Sequence, residues 1–219
     1  MRISRHGGIG AVLTVLAAGS GQAQGRAPDH WQVVRDPASS AATSAASDSV
    51  FFVSMAPGWH VTMGPGAVLF DPRRIADGRF EVEFEFHLFP GSSNAAAGFF
   101  VGGRDLSGAG QRYTAFVIRA DGSAAVMVRD GARDTARLPW TPVSAIATPS
   151  GNATGRNVLR LAMDSAGVHF TVNARPVHSF AHGELALDGH FGLRVGRDVN
   201  VHVTRLDLLQ RLAPVPAGK

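Results

Sequence analysis

Residues 80–88, FEVEFEFHL, set Glu81, Glu83, Glu85 and His87 in alternation with Phe80, Val82, Phe84, Phe86 and Leu88. Successive side chains on a strand point to opposite faces, so the three carboxylates and the imidazole would share one side. Paired carboxylates can break a glycosidic bond, one attacking the sugar or activating water while the other protonates the leaving oxygen. Retention of configuration needs the two carboxyl groups about 5–5.5 Å apart, whereas positions i and i+4 on a strand lie about 13 Å apart by rise alone. A bulge or strong twist would have to bring them together. The plainer expectation is a solvated strand face opposite a Phe/Val core face, with Glu83 and Glu85 as the acid/base pair only under the catalytic alternative.

Other residues raise other chemistries. His178 and His182 have H-x-x-x-H spacing among the nine histidines, but no helical stripe surrounds them and no cysteine is present to complete a site. His169, His190 and His202 could meet only through strand pairing, so no transition metal is expected. No cofactor is expected either. Calcium is the one ion the residues would admit, at a loop rim carrying Asp71, Asp105 or Asp188. GGRDLSGAG (102–110) is glycine-rich, yet a strand follows it where a phosphate cradle requires a helix. It reads as a rim loop, with Arg104, Arg112 and Tyr113 as its polar and aromatic groups. Trp59, Trp140 and Tyr113 offer faces on which a sugar can stack, although Trp59 within GWHVTM is expected in the core. No Gly-x-Ser-x-Gly elbow occurs. The expected ligand contacts are therefore Glu81, Glu83, Glu85, His87, Arg104, Arg112 and Tyr113.

The elements that must hold these residues read as strands. Period-two alternation or short apolar runs mark 31–34, 50–55, 59–63, 80–88, 96–102, 112–119, 123–129, 157–163, 168–173, 190–196 and 200–209. Asp121-Gly122 and Asp130-Gly131 sit between such runs, where a hairpin turn favours Asp-Gly, so 112–139 reads as a three-stranded antiparallel meander. A single sheet of about a dozen strands would leave an apolar face uncovered. The fold class is all-β, a two-sheet antiparallel sandwich or jelly roll.

Composition bounds the rest. A chain of 219 residues that is 45% hydrophobic can bury one substantial core. Arg2 and Arg5 precede the apolar stretch 9–19 and the small-residue run SGQA, the pattern of a secretory signal peptide over 1–23. Residues 24–49 then hold a first strand and the Ala/Ser-rich loop 37–49, 50–210 the sandwich, and 211–219 a tail. No later segment approaches the roughly 20 apolar residues of a membrane span, and the expected location is periplasmic or secreted. With no cysteine, packing alone must hold the domain. Loss of Arg2 and Arg5 lowers the formal charge from +4 to +2, and arginines scattered among carboxylates form no basic stripe. Nucleic acid is not an expected partner. Oligomeric state leaves no mark in the sequence.

GRFEVEFEFHLFPGSSNAAAGFF (78–100) resembles the strand, Pro/Gly loop and strand of concanavalin A-like jelly rolls. Asn157-Val158-Leu159-Arg160, VHFTVNARPV with Asn173, GHFGLRVG (189–196) and VHVTRLDLL (201–209) are similar to the closing strands of that fold. The nearest likeness is to the 3-keto-disaccharide hydrolase domain family, with laminin-G-like domains and family-sixteen glycoside hydrolases as wider kin. The likeness spans about residues 50–210. Glu85 falls where the family has a strand glutamate, and family-sixteen hydrolases place an E-x-D-x-E carboxylate set on such a strand. Four departures stand beside it. Glu83 replaces the Asp of the family-sixteen set, an expected N-S-G stretch is loosened to Asn94-Ala95-Ala96-Ala97-Gly98, Gly102 stands where an arginine is expected, and Arg194-Val195-Gly196 replaces a histidine, the last two reading as lost polar contacts. The resemblance implies an exported domain that binds carbohydrate or another cell-envelope component without catalysis. The alternatives are a glycoside hydrolase or lyase acting on a modified disaccharide, and a structural or protein-interaction domain.

Overall fold

The computed structural model describes residues 28–37 and 50–210; the expected signal peptide, nearly all of the loop 37–49 and the tail 211–219 lie outside the described residues. Fourteen strands and no helix occupy the described chain: β1 (Gln32–Arg35), β2 (Val50–Ser54), β3 (Trp59–Met63), β4 (Ala67–Ala76), β5 (Phe80–Leu88), β6 (Ala96–Arg104), β7 (Arg112–Arg119), β8 (Ser123–Asp130), β9 (Arg133–Pro142), β10 (Gly155–Met163), β11 (Val168–Val172), β12 (Arg175–Phe180), β13 (Gly189–Val195) and β14 (Val199–Gln210). They form two seven-stranded antiparallel sheets. Sheet A runs β1-β4-β13-β6-β7-β8-β9 and sheet B runs β12-β11-β10-β5-β14-β3-β2. This is the all-β sandwich that the alternation predicts.

Period two explains the core. Phe80, Val82, Phe84, Phe86 and Leu88 alternate along β5 and are fully buried between the sheets. Leu159 and Leu161 of β10 lie beside them, and Phe99, Phe116 and Ile118 face them from sheet A. Rings carry the contact across the gap: Phe84 meets Phe99 at 6.4 Å, Phe99 meets Phe116 at 6.0 Å, and Phe116 returns to Phe170 of sheet B at 5.0 Å. Each such side chain contributes about 1.5–3 kcal/mol through burial.

The meander is β7-β8-β9, turning at Gly122 and Gly131, both with positive φ. Sequence patterning passes over β12 and β4, the latter because AVLFDPRRIA carries a proline in its middle. Pairing between β13 and β4 jumps from Gly192↔Phe70 to His190↔Ile75, so Pro72 sits in a bulge where no ladder N–H is needed. Asp71 fixes this bulge by accepting from the backbone N–H of Arg73 and from its guanidinium.

Candidate functional site

The carboxylate row lies on the outer face of sheet B, and each carboxylate has an arginine. β5 is flanked by β10 and β14, which bring up Arg156, Arg160 and Arg205. Arg160 pairs with Glu81, and Arg205 with both Glu83 and Glu85. Arg156 Nε also donates to Glu85 at 2.9 Å. Glu81 is buried, with 6% of its surface exposed, so it is not on the wet side of a strand as alternation suggests. Burial alone would push the Glu85 carboxyl up, but Arg156 and Arg205 outweigh it and hold the group below its ordinary value. An acid catalyst for glycoside cleavage needs the opposite shift. His87 lies at the end of the row, in register with His202 and Arg156 and 3.4 Å from the Thr154 hydroxyl.

Sheet A is different. Phe116 and Ile118 of β7 point into the core, so Tyr113, Ala115, Val117 and Arg119 face outward. Register places Met127 and Arg129 of β8 beside them, and Gly98 of β6 with Arg194 of β13 on the other flank. An antiparallel sheet normally turns a polar face to water. Here the outer face carries a second apolar cluster of Val68, Phe70, Phe100, Tyr113, Val117 and Ala125, with Trp140 and Met127 at its edge. Above this floor lies a groove of about 240 Å³, walled by Arg119 and Trp140 on one side and Arg194 and Arg197 on the other. It falls below the roughly 300–1,000 Å³ of a drug-sized pocket.

Arg119 and Arg194 are fixed by their contacts. The Arg119 guanidinium carbon lies over the Trp140 ring, 3.6 Å from its centroid. Arg194 makes a two-pronged pair with Asp36 at 3.0 and 2.7 Å and donates to the Val195 carbonyl. Burial disfavours the Arg194 cation, but neighbouring groups, the Asp36 carboxylate among them, outweigh it and hold the group above its ordinary value. Burial likewise pushes the Tyr113 hydroxyl up, so it stays protonated and able to donate. Arg129 Nη1 donates to Asp134 at 2.9 Å. The replacement of the expected histidine by Arg194 is therefore not the loss of a polar contact: it puts a guanidinium on the groove wall.

The structure does not gather the expected ligand contacts into one site. Glu81, Glu83, Glu85 and His87 belong to sheet B, whereas Arg104, Arg112 and Tyr113 belong to sheet A and line a depression of about 590 Å³ at its rim. Arg112 is spent there on Asp130 at 2.8 Å. Tyr113 also lines the groove, and it is the one expected residue found in it. Trp140, read as a stacking face, stands in the groove, and Trp59 packs against the core beside Trp31. Gly102 replaces an arginine for a local reason, since its φ is positive and a Cβ there would lie 2.3 Å from the Ala186 carbonyl oxygen.

The calcium candidates do not converge. Asp71 lies within β4 rather than in a loop, and its carboxylate is taken by Arg73. Asp105 accepts from the Gly110 N–H of its own loop, and Asp188 accepts from the Gly78 N–H. Among the histidines, His169 contacts the Asp164 carboxylate at 3.0 Å and His182 the Asp164 carbonyl oxygen at 2.7 Å. Among the described residues no three His, Asp or Glu side chains form a metal-holding group.

No family model and no curated protein matches the chain. Solved structures do match in fold. A carbohydrate-binding module from Bacillus subtilis superposes with a TM-score of 0.59 at 11% identity, over 83% of this chain and 96% of that one. The metal-free carbohydrate recognition domain of Emp46p gives 0.55 at 11%, over 82% and 88%. A GH16 protein from the Bacteroides ovatus mixed linkage glucan PUL, in complex with a product, gives 0.54 at 11%, over 82% and 94%. At such identities the likeness establishes the architecture: the chain is a concanavalin A-like jelly-roll sandwich.

Proposed function

We propose that this protein is an exported, non-catalytic carbohydrate-binding domain and that its ligand lies in the groove on the outer face of sheet A. The observation that carries the reading is the pairing of an apolar floor with Trp140, Arg119, Arg194 and Tyr113 on an outer sheet face. Sugars present apolar ring faces and a rim of hydroxyls, which call for this mixture of flat aromatic surface and fixed donors. The similarity to a carbohydrate-binding module and a carbohydrate recognition domain supports the class of ligand. Against turnover stand the carboxylates of β5, each paired with arginine and Glu85 held ionised. Export rests on the signal-peptide pattern of 1–23, and N-terminal sequencing of protein from the envelope or medium should begin near residue 24.

A glycan array followed by titration calorimetry tests the binding. Replacement of Trp140 by Ala should weaken the best glycan by at least about 2 kcal/mol, roughly thirtyfold, as loss of a central aromatic anchor does. Product analysis after prolonged incubation should show the glycan intact. Cleavage that disappears in Glu85→Gln would replace this reading with the hydrolase alternative.

A further inference from the structure

We propose that the ligand of the groove is an acidic saccharide, with its carboxylate or sulfate group received by Arg119 and Arg197; this rests on the carbohydrate-binding reading above. The inference comes from the charge left over after the groove's internal pairs are counted. Arg194 is matched by Asp36 in a bidentate pair, and Arg129 by Asp134. Arg119 and Arg197 also line the groove, and neither forms an ion pair or side-chain hydrogen bond with any described residue. Among the described residues Asp134 is the one carboxylate lining the groove, and Arg129 already occupies it.

The two unmatched arginines differ in a useful way. Arg197 is exposed in the turn between β13 and β14, where it can swing toward a ligand. Arg119 is held. Its guanidinium lies over the Trp140 ring, and its Nε, like that of Arg129, is buried with no hydrogen-bond partner among the described residues. Native structures leave few buried donors unsatisfied. A guanidinium stacked on an indole keeps its planar fork of donors fixed in orientation, and that fork matches a carboxylate or sulfate better than it matches single hydroxyls. A partly buried cationic wall over an apolar floor repels no neutral ligand, yet it favours one that carries an anionic group.

The test is calorimetric titration of the protein with oligogalacturonate, oligoguluronate and a heparin-derived oligosaccharide, each beside its carboxyl-reduced or desulfated counterpart. At least one acidic oligosaccharide should bind about tenfold or more tighter than its neutral counterpart, the scale of one charge-assisted hydrogen bond. That ratio should fall toward one in Arg119→Gln and separately in Arg197→Gln, whose exposed position leaves folding untouched, and it should persist in Arg175→Gln, an exposed arginine of sheet B. The carboxylate and sulfate arms identify which anion is preferred. Equal affinity for acidic and neutral members, with both lost in Trp140→Ala, would overturn this inference and leave carbohydrate binding standing. Acidic preference that survives both arginine variants would reduce it to general attraction between a basic protein and a polyanion. No binding of any oligosaccharide here or on the array would remove both readings.

Discussion

Glu85 and Asp71 show how much the role of a carboxylate depends on its partners. Glu85 shares Arg156 and Arg205, and Glu85→Gln should cost about 1 kcal/mol in urea unfolding at neutral pH while leaving glycan affinity unchanged. Asp71 is almost fully buried against Arg73, which lowers its pKa to about 2. Its folded value lies below the ordinary value of about 3.9, so the ionised group stabilises the fold above pH ~4 and that contribution fades as pH falls toward ~2. Because Arg73 is largely exposed, the contribution is about 1 kcal/mol. Melting curves of wild type and Asp71→Asn should therefore differ at pH 6 and converge near pH 2. Alternation along 80–88 reveals which residues face the core but not these partnerships. Arg156, Arg160 and Arg205 lie 71, 79 and 120 residues from the glutamates they meet, and nothing local in the sequence announces them.

At the level of elements, what the sequence shows and what it hides follow from local physics. β5 is legible from its alternation, and β7 and β8 from apolar runs on either side of an Asp-Gly turn. β4 is not, because Pro72 reads as a break until the bulge that accommodates it is seen. The groove is obscured for a related reason: in RYTAFVIR both faces of β7 are apolar, so period two cannot say which side carries Tyr113 and Arg119 outward. Arg194 reads as a lost contact because only the pairing of β13 with β6 reveals the wall it joins. Asn157 and Asn173 were legible as closing-strand residues, and the structure gives their work. Asn157 is fully buried, bonds both the N–H and the carbonyl of Ala147, and accepts from Asn173, which also donates to the Ala145 carbonyl. Together they pin the β9–β10 connection against β10. Asn157→Ala removes the side-chain bonds to the Ala147 N–H and carbonyl and to the buried Gly155 carbonyl and should cost about 2 kcal/mol or more. Hydrogen exchange should then show the amide of Ala147 losing protection before those of β5.

Across the whole molecule the two sheets share one core and divide the outer surfaces between them. Sheet B covers itself with ion pairs, a face in which every β5 carboxylate meets an arginine; sheet A carries the apolar floor and the arginine and tryptophan walls. This separation predicts that binding and stability respond to different residues. Phe84 is fully buried between the sheets, stacked on Phe86 at 4.8 Å and edge-on to Phe99 at 6.4 Å. Phe84→Ala should destabilise the fold by about 3–5 kcal/mol, through lost transfer energy and the cavity left behind. Trp140 is half-buried on the outer face, and Trp140→Ala should cost only about 1 kcal/mol of stability. At a temperature where both variants remain folded, Phe84→Ala should keep its glycan affinity to within a few-fold, because the ring lies on the far side of sheet A from the groove. Trp140→Ala should lose affinity while melting close to wild type. Unfolding by urea and calorimetric titration on the same two variants measure this directly. A Phe84→Ala protein that is folded yet no longer binds would mean that the groove depends on core packing, and the division of labour between the faces would fail.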